Sequence, residues 1–469
     1  MSRFPQRCER PIQINTGSWG AIGQRLVPAR FRREAIVDRA TGLSQKRPVI
    51  VRSTGMPVCC RSGASCPPRL SWASREGLLW QGEDVSLQVE AMRALLDLGQ
   101  VAELRERLAR TRWSSVAADG WDMGVPRVWL RELVTAWEAF SVADFQDRLD
   151  ALSHLAVDVD GQMLHVVHAR GQGPRPMPLV LTHGWPGSFC EYLDLIPLLT
   201  DPQAHGGDPD DAFTVVVPSL PGFGFSSPPP RGGLTGEQVA ALWHQVMVDG
   251  LGYSRYTAHG SDLGAGVTAW LSRTHPDAVA GIHLATPGLA APPKPWTHAE
   301  VEHFAEAERW SAEEGGYAHQ QATKPATLGA ALADSPAGLA AWVGEKVVAW
   351  SSTDTAGEPA FNRNLLLATL TLYWTTQTIT TSLLPYWAYH HEPGSQLPAG
   401  DPSPVPTAVS IFGGERVPFP KPPRELAERY FTVTAWSEHE RGGHFPAIAE
   451  PQLLAETLRT VFRPLRASN

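Results

Sequence analysis

The spacing of apolar residues changes from a helical to a strand period in the first half of the chain. From residue 95 to residue 113 apolar side chains recur at helical spacing, and a second amphipathic stretch follows at 127–140. Such spacing is typical of helices that bury one face. Residues 155–168 alternate instead around Asp160-Gly161, a dipeptide that favours a two-residue hairpin turn. We therefore predict two helices followed by a β-hairpin.

Beyond residue 178, short apolar runs alternate with longer amphipathic stretches. The predicted strands are 179–183, 213–220, a strand that ends at 257–259, 279–286, 406–412 and 431–436. The predicted helices are 188–199, 235–250, a helix that ends near 274, and 449–463. Alternating β and α units fold into a mostly parallel sheet with helices on both faces, and we predict this α/β architecture.

One long block interrupts this alternation. Between residues 291 and 399 the strand pattern stops, and the sequence becomes helical and rich in Trp, Tyr and His. An insertion there predicts a helical cap over the carboxyl edge of the sheet, where ligands bind in α/β folds. The predicted organisation is a basic, poorly ordered extension (1–80), an N-terminal segment with the first hairpin (81–178), a core (179–290 and 400–469) and the cap (291–399).

Charge and cysteine content exclude several classes of protein. The net charge is −8, but residues 1–80 hold 14 Lys/Arg against 4 Asp/Glu, so the rest of the chain is strongly acidic. An acidic body argues against a nucleic-acid partner. No apolar run reaches the roughly 18 residues of a membrane span. Cys190 is the one cysteine after residue 80, which excludes a disulfide scaffold and favours a cytoplasmic location.

The most informative motif is AHGSDLGAG at 258–266, between a predicted strand and a predicted helix. In a strand–turn–helix elbow the central residue adopts a strained backbone and needs small neighbours, which Gly260, Gly264 and Gly266 supply. Asp262 occupies the central position that serine usually takes, so the nucleophile would be a carboxylate. The motif alone leaves a second interpretation open, in which Asp262 caps the following helix.

Two further motifs supply groups that such a nucleophile needs. THGWPGSF is a glycine-rich turn after a strand, and the backbone N–H groups of Trp185 and Leu263 would form an oxyanion hole; an ordinary loop is the alternative. His444 lies in a glycine-rich loop before the last helix, and Glu415 follows a predicted strand. The order nucleophile, acid, histidine is that of the α/β-hydrolase fold.

Together these motifs carry a resemblance that runs from about residue 85 to about residue 465. The sequence resembles the microsomal type of epoxide hydrolase, a family that includes the juvenile-hormone epoxide hydrolases and many bacterial relatives. The matching segments are LARTRW (108–113), GWDMGVP (120–126), THGWPGSF (182–189), VVVPSLPGFGFS (215–226), GSDLGAG (260–266), TKPATLGAALADSPAGLAAW (323–342), YWTTQTITTS (373–382) and RGGHF (441–445). Haloalkane dehalogenases share the aspartate nucleophile but lack the N-terminal segment and the TKP segment.

The resemblance implies an enzyme that converts an epoxide into a vicinal diol with neither a metal nor an organic cofactor. Asp262 would attack a ring carbon of the epoxide and form a covalent ester. His444, oriented by Glu415, would then activate the water that hydrolyses this ester. The N–H groups of Trp185 and Leu263 would stabilise the oxyanion formed in that step.

The resemblance also implies two tyrosines of the cap that hold the epoxide oxygen. Tyr317 and Tyr386 stand at the matching positions, and Tyr389 is an alternative to Tyr386. A phenol suits this role because it donates a hydrogen bond or a proton to the developing alkoxide. Both rings could instead be ordinary core aromatics. The family often has Trp after the nucleophile, where this chain has Leu263, so we expect a differently shaped pocket floor.

Three other functions stay open at this point. A haloalkane dehalogenase would use the same aspartate, although Leu263 removes the usual ring N–H donor for halide. A binding protein without activity, or a cyclase in which a substrate hydroxyl replaces water, would keep the same scaffold. The expected partner is a small apolar or aromatic epoxide, in detoxification or in a bacterial natural-product pathway. The oligomeric state is open, with a homodimer as one possibility.

Overall fold

The sheet and its connections determine where every candidate residue lies. The computed structural model of the protein describes residues 87–115, 119–230, 232–353 and 359–468, so the predicted extension 1–80 lies outside the described residues. In the described part, the strands are β1 (Gln88–Met92), β2 (His154–Val159), β3 (Gln162–Ala169), β4 (Met177–Thr182), β5 (Phe213–Pro218), β6 (Tyr256–Ser261), β7 (Val279–Ala285), β8 (Ser403–Phe412) and β9 (Phe431–His439).

All of these strands pair in one sheet, in the order β1-β2-β3-β5-β4-β6-β7-β8-β9. Strands β1, β2 and β3 pair antiparallel, and β3 pairs antiparallel with β5. From β5 to β9 every pairing is parallel. The prediction of a mostly parallel sheet is therefore confirmed, whereas β1 has no counterpart among the predicted elements.

The predicted hairpin is present between β2 and β3, with Val159 opposite Gln162. Its two turn residues have positive φ, +52° at Asp160 and +85° at Gly161. Asp and Gly are among the few residues that adopt this conformation without much strain, so the dipeptide determines the turn.

The helices of the described residues pack on both faces of the sheet and form the cap. They are α1 (Leu98–Ala109), α2 (Arg127–Glu138), α3 (Val142–Asp150), α4 (Leu195–Thr200), α5 (Gly236–Gln245), α6 (Leu263–Thr274), α7 (His298–Glu314), α8 (Gly316–Thr323), α9 (Pro325–Asp334), α10 (Pro336–Trp350), α11 (Arg363–Thr376), α12 (Ile379–Ser382), α13 (Leu384–His391), α14 (Arg424–Ala427), α15 (Pro446–Ala449) and α16 (Pro451–Phe462). Within those same residues, no helix combines the length and the apolar character needed to cross a membrane.

Several predicted helix boundaries differ from the observed ones. Helix α1 begins at Leu98 rather than near residue 95, because the Asp97 side chain accepts hydrogen bonds from the N–H groups of Gly99 and Gln100 and so caps the helix. The helix predicted at 188–199 consists of a 3₁₀ turn followed by α4. The helix predicted at 235–250 is α5 followed by a five-residue π-helical turn.

The cap helices α7 to α13 lie between β7 and β8 in the chain, and α2 of the N-terminal segment packs against them. The indole N–H of Trp137 on α2 donates to Thr371 Oγ1 on α11 at 2.9 Å. A Cβ added to Gly344 of α10 would lie 2.8 Å from the ring of Trp129, so glycine allows the close approach of α2 and α10. The N-terminal segment thus packs against the cap through helices α10 and α11.

Apolar side chains of successive strand residues divide between two cores, one on each face of the sheet. Val180 of β4 and Val216 of β5 belong to one buried cluster, and Leu179 and Val215 belong to the other. This alternation is the period of two that a strand imposes on its side chains. Both faces of the central strands are therefore covered, as expected for a parallel sheet.

A hydrogen-bonded row of polar side chains crosses the apolar interior along four parallel strands. His259 of β6 and His283 of β7 share a hydrogen bond of 2.8 Å between their Nδ1 atoms, and His283 Nε2 shares another with Ser410 Oγ of β8 at 2.8 Å. Ser410 in turn bonds Ser437 of β9, which bonds His439. Burial lowers the pKa of His259 to about 4, so the ring is neutral near pH 7. We call this row the polar ladder.

Candidate active site

Asp262 stands at the elbow between the end of β6 and the start of α6. Its backbone has φ +51° and ψ −127°, a conformation that L residues rarely adopt. No hydrogen bond from the α6 backbone reaches its side chain, so Asp262 does not cap the helix. The carboxylate projects instead from the carboxyl edge of the sheet, and its side chain is 19% exposed.

Glycines surround the elbow at close range. A Cβ at Gly260 would lie 2.1 Å from the carbonyl oxygen of Gly264, and one at Gly264 would lie 2.0 Å from that of Thr182. A Cβ at Gly184 would lie 2.4 Å from the side chain of Asp262. Gly266 differs, because an added Cβ there meets nothing within 4 Å. Steric need therefore explains the glycines of the elbow except Gly266.

The loop after β4 holds one oxygen of the nucleophile. The backbone N–H of Trp185 donates to Asp262 Oδ1 at 2.8 Å. Leu263 is the first residue of α6, where backbone N–H groups have no partner inside the helix. The two residues predicted for the oxyanion hole thus lie on either side of the Asp262 carboxylate, one bonded to it and the other following it in the chain.

His183, which the sequence analysis did not single out, braces that loop. Its Nε2 accepts a hydrogen bond from the N–H of Leu220 at 3.2 Å, and its Nδ1 lies 3.1 Å from the carbonyl oxygen of Gly184. Burial lowers the pKa of His183 to about 4, so the ring is neutral and donates from Nδ1. The sequence signal for His183 is its position at the start of the glycine-rich turn THGWPGSF.

His444 lies opposite, in the loop between β9 and α15. Its Nε2 is 3.2 Å from Asp262 Oδ2, and its side chain is 8% exposed. The backbone N–H of His444 donates to the carbonyl oxygen of Trp350 at 2.9 Å. The imidazole also packs against the rings of Trp350, Phe419 and Phe445. The structure therefore brings the predicted nucleophile and the predicted base into direct contact.

Glu415 lies in the neighbouring loop, but its carboxylate is engaged elsewhere. Gly443 N–H donates to the carbonyl oxygen of Gly413 at 3.0 Å, which joins the loops that carry His444 and Glu415. The Glu415 carboxylate forms an ion pair with Lys421, and the described residues show no hydrogen bond between Glu415 and His444. The orienting role of Glu415 therefore stays a prediction.

Two tyrosines of the cap face the loop that holds the nucleophile. The ring of Tyr317 stacks on Trp185 with centroids 5.5 Å apart and an interplanar angle of 11°. Tyr386 meets the same indole edge to face at 5.8 Å and lies 5.9 Å from the ring of Tyr317. Tyr389, the alternative to Tyr386, is 52% exposed. The geometry therefore places Tyr386 rather than Tyr389 beside Tyr317.

Burial keeps both phenols protonated. It raises the pKa of Tyr317, and the negative charge of Asp262 raises it further. Burial likewise raises the pKa of Tyr386 well above its usual value, with additional contributions from Tyr317 and Asp262. A phenol with a raised pKa remains a hydrogen-bond donor across the neutral range.

A cavity of about 590 Å³ opens in front of these groups. Asp262, His444, Tyr317 and Tyr386 all line it. Most of its remaining wall is apolar and includes Leu220, Leu263, Val267, Trp270, Leu289, Leu397, Phe419 and Phe431. No lysine or arginine of the described residues lines it. The cavity has the size of a typical small-molecule site and suits an uncharged apolar ligand.

The fold and the site together define a class of protein. A mostly parallel sheet, a nucleophile on a strand-to-helix elbow and a histidine in a loop before the last helix are the arrangement of an α/β-hydrolase. Here the residue at the elbow, the predicted nucleophile, is a carboxylate, and a helical cap contributes two phenols to the same cavity.

Comparison with known proteins narrows this class to one family. The profile described as "Epoxide hydrolase N terminus" matches residues 89–192, and the profile "alpha/beta hydrolase fold" matches 177–314. A protein of Stigmatella aurantiaca that is provisionally named an epoxide hydrolase is 40% identical over 374 residues, which cover 78% of this chain and 83% of that protein. Juvenile hormone epoxide hydrolase 2 of Ctenocephalides felis is 34% identical, with 70% of this chain and 75% of that protein covered.

A solved structure agrees with these sequence relatives. The crystal structure of juvenile hormone epoxide hydrolase from the silkworm Bombyx mori superposes with a TM-score of 0.71 at 27% identity, and the match covers 81% of this chain and 95% of that one. The chain is an enzyme that belongs to the epoxide hydrolase family.

Proposed function

We propose that the enzyme hydrolyses an apolar epoxide to a vicinal diol through a covalent ester on Asp262. One observation carries this proposal. The Asp262 carboxylate lies between the N–H of Trp185 and the imidazole of His444, and it lines the same cavity as Tyr317 and Tyr386. A nucleophile, a base and two proton donors around one cavity are what ring opening followed by ester hydrolysis requires.

We assign different roles to the two oxygens of Asp262 on the basis of their contacts. Oδ1 accepts the N–H of Trp185 and is the oxygen on which negative charge would develop in the later oxyanion. We assign the attack on the epoxide carbon to Oδ2, which is the oxygen beside His444. As the C–O bond of the epoxide breaks, Tyr317 and Tyr386 donate hydrogen bonds to the departing oxygen, and one phenol proton completes the alcohol.

In the second half-reaction His444 Nε2 takes a proton from a water molecule, which adds to the carboxyl carbon of Asp262. The negative charge then rests on Oδ1, where the N–H groups of Trp185 and Leu263 stabilise it. Collapse of this intermediate breaks the bond between the carboxyl carbon and Oδ2, and His444 returns its proton to the leaving oxygen of the diol. The second proton of the water leaves the Asp262 carboxyl and restores the phenol that was deprotonated during ring opening. A serine nucleophile would instead form an ether in the first half-reaction. That ether has no carboxyl carbon for water to attack.

The wall of the cavity indicates the kind of epoxide. Its volume of about 590 Å³ and its apolar lining favour a neutral substrate of drug-like size, aliphatic or aromatic. Among the described residues the wall holds one carboxylate, Asp262, and no lysine or arginine, so no permanent positive charge faces a carboxylate substrate. We also propose a cytoplasmic location. The physiological role that we propose is either detoxification or a step in a bacterial natural-product pathway.

The test is a single turnover with excess enzyme and styrene oxide in ¹⁸O-labelled water. The first turnover is expected to give unlabelled diol and to leave the label in the carboxylate of Asp262, because the water attacks the ester carbon. Mass spectrometry of the peptide that contains Asp262 measures this. Labelled diol with an unlabelled Asp262 would mean direct attack of water on the epoxide and would overturn the proposal.

Asp262→Ala provides the control. Removing the nucleophile is expected to lower kcat at least about a thousandfold, as nucleophile removal does in other covalent enzymes. The circular dichroism spectrum and the unfolding midpoint should stay close to those of the wild type, because the substitution shortens a side chain that borders the large cavity. Chloride release from a 1-chloroalkane of similar size, at a rate above diol formation, would favour the dehalogenase interpretation instead.

A further inference from the structure

The large cavity extends far beyond the groups that react. Phe431, the first residue of β9, lines it together with Asp262. In the register of the sheet, Ser437 of β9 lies level with Ser410 of β8, and Ser410 lies level with Ala285 at the end of β7. Phe431 precedes Ser437 by almost two thirds of the strand, and a strand rises about 3.3 Å per residue. The cavity therefore reaches about 20 Å from the carboxyl edge of the sheet towards its amino edge.

Helix α6 forms one wall of this extension. Leu263, Gly266 and Trp270 follow one another at spacings of three and four residues, so they share one face of the helix, and all of them line the cavity. Because a helix rises 1.5 Å per residue, Trp270 lies about 10 Å beyond Leu263 along the axis. Tyr430 and Phe431 line the same cavity and belong to the same buried cluster as Trp270. We call the part of the cavity bordered by these five residues the α6 arm.

Gly266 leaves a gap in this wall that the packing of the protein does not require. A Cβ added there would meet no atom of another segment within 4 Å, and the φ angle of Gly266 is not positive. The residue is exposed, whereas Ala265 and Val267 on either side are buried. Glycine inside a helix is also less favourable than alanine. The space that this glycine leaves open therefore belongs to the cavity and is free for a ligand.

The α6 arm is apolar. Its walls carry no charged side chain, and the hydroxyl of Tyr430 already donates to the carbonyl oxygen of Ala290 at 2.7 Å. Each methylene group that moves from water into such surroundings strengthens binding by a factor of about four. The arm therefore suits a run of methylene groups and offers nothing to a charged substituent.

We propose that the α6 arm receives a long apolar substituent of the substrate epoxide, such as an unbranched alkyl chain, and that Gly266 determines how bulky this substituent can be. The inference rests on the proposed function, because it names the substrate class of the same site. With the epoxide ring between Asp262 and the two cap tyrosines, the substituent passes the side chain of Leu263 and lies over Gly266. Gly266 is thus a specificity-determining residue that takes no part in the bond changes.

The test compares 1,2-epoxybutane with 1,2-epoxydecane, which differ only in the length of one alkyl chain. In the wild type we expect kcat/KM for epoxydecane to exceed that for epoxybutane at least thirtyfold, because the longer chain fills the arm. Gly266→Leu places a side chain across the arm and is expected to lower this ratio at least tenfold, mainly through KM. Leucine favours a helix more than glycine does, so the unfolding midpoint should not fall. Equal losses for both epoxides would indicate a structural effect and would overturn the proposal.

Two further variants test the position of the arm. Gly266→Ala adds a smaller group and should lower the ratio less than Gly266→Leu does. Thr274→Leu adds a leucine at the exposed end of the same helix, outside the cavity, and should leave the ratio within twofold of the wild type. If Thr274→Leu lowers the ratio as much as Gly266→Leu, a disturbance of helix α6 is responsible and the arm has no role.

Binding to Asp262→Ala distinguishes this inference from the proposed function, because that variant forms no ester. Isothermal titration calorimetry is expected to show epoxydecane binding at least tenfold more tightly than epoxybutane, and Asp262→Ala/Gly266→Leu should lose this preference. That preference, together with a wild-type enzyme that never forms an ester, would refute the covalent mechanism and support the arm. A wild-type enzyme that forms the ester but prefers neither epoxide, in binding or in turnover, would refute the arm alone.

Discussion

The two halves of the site are held in place by different means. On the sheet side, Asp262 is fixed by a strained backbone, by the N–H of Trp185 and by glycines into which no Cβ fits. On the cap side, Tyr317 and Tyr386 are held by ring contacts with one another and with Trp185, at centroid distances between 5.5 and 5.9 Å. We call these the elbow half and the cap half.

This difference determines how much substitution the packing of each half tolerates. Backbone geometry in the elbow half allows almost no choice of residue, because a single methyl group at Gly184 would collide with the nucleophile. Aromatic packing in the cap half is tolerant, since offset or edge-to-face rings of similar size contribute similar energies. Substitutions of packed rings in the cap half should therefore change which substrate the enzyme accepts. Substitutions of glycines in the elbow half should abolish the reaction.

The largest expected effect comes from crowding the elbow half. In Gly184→Ala the new Cβ would lie 2.4 Å from the Asp262 side chain, so the carboxylate must move. Displacement of a reacting group by about 1 Å costs roughly a hundredfold in rate, and we expect kcat/KM for styrene oxide to fall by about that factor. Steady-state kinetics of diol formation measures it.

Gly266→Ala is the matched control, because it adds the same methyl group two residues beyond Gly264 in α6. Nothing in the protein lies within 4 Å of the added Cβ, and Gly266 lines the large cavity, so we expect kcat to change less than threefold while any change in KM reflects contact with the substrate. Equal losses in Gly184→Ala and Gly266→Ala would show that the region around the elbow is sensitive to any added methyl group, rather than to close approach to Asp262.

A smaller effect is expected in the cap half. Tyr317→Phe and Tyr386→Phe each remove one donor to the leaving oxygen while the other remains, so each should slow ester formation by roughly ten- to a hundredfold. Ester hydrolysis should be unchanged, because the epoxide oxygen is already an alcohol at that stage. Pre-steady-state fluorescence and acid quenching resolve the two rates.

Tyr389→Phe is the control for this pair. Tyr389 lines the cavity but is 52% exposed, and it makes no ring contact with Trp185. We expect ester formation to stay within twofold of the wild type. If Tyr389→Phe slows ester formation and Tyr386→Phe does not, the assignment of the second tyrosine must be exchanged.

The smallest effect is a loss of stability in acid, and it originates on the sheet side. Burial lowers the pKa of His183 and of His259 to about 4, below the value of about 6.5 in an unfolded chain. Below pH 6.5 the unfolded chain therefore binds protons that the folded protein does not. The stability present above pH 6.5 is lost as the pH falls towards 4, by roughly 1 kcal/mol for each histidine between pH 7.5 and 5.5.

Urea unfolding at pH 7.5, 6.5 and 5.5 measures this slope. His298→Gln is a useful comparison, because the His298 side chain is 89% exposed and its replacement should leave the slope unchanged. A free energy of unfolding that is constant from pH 7.5 to 5.5 would contradict the neutral, buried state of both histidines.

The contrast between the halves also explains which parts the sequence predicts. Asp262 and the hairpin turn at Asp160-Gly161 occupy positions where backbone conformation restricts the residue type, so short motifs reveal them. Trp185 is found through the glycine-rich motif that surrounds it. The alternation of strands and helices is equally predictable from the spacing of apolar residues, because each face of the sheet requires its own apolar side chains. Tyr317 and Tyr386 follow from a family resemblance, since an aromatic residue in a helical cap has no local signature.

Other features depend on contacts between distant segments and have weak local signals. Strand β1 has the sequence QVEAM and a mostly exposed pattern, so it lacks the alternation that marks a strand. Helix α3 also has no counterpart among the predicted elements. It does have a local sequence signal, because Ser141 caps it and Val142, Phe145 and Leu149 bury one face. The pairing of Glu415 with Lys421 depends on side-chain placement that no spacing pattern encodes.

The polar ladder has a consequence for how the fold accommodates its cap. More than a hundred residues separate β7 from β8, yet His283 and Ser410 meet across that gap at 2.8 Å. Sliding β8 by one residue would turn Ser410 to the opposite face and leave Nε2 of His283 without its partner on β8. Alignment of the two strands is thus encoded within the sheet and is independent of what is inserted between them. The cap could therefore be lengthened, shortened or exchanged while β7 and β8 still pair in the same register.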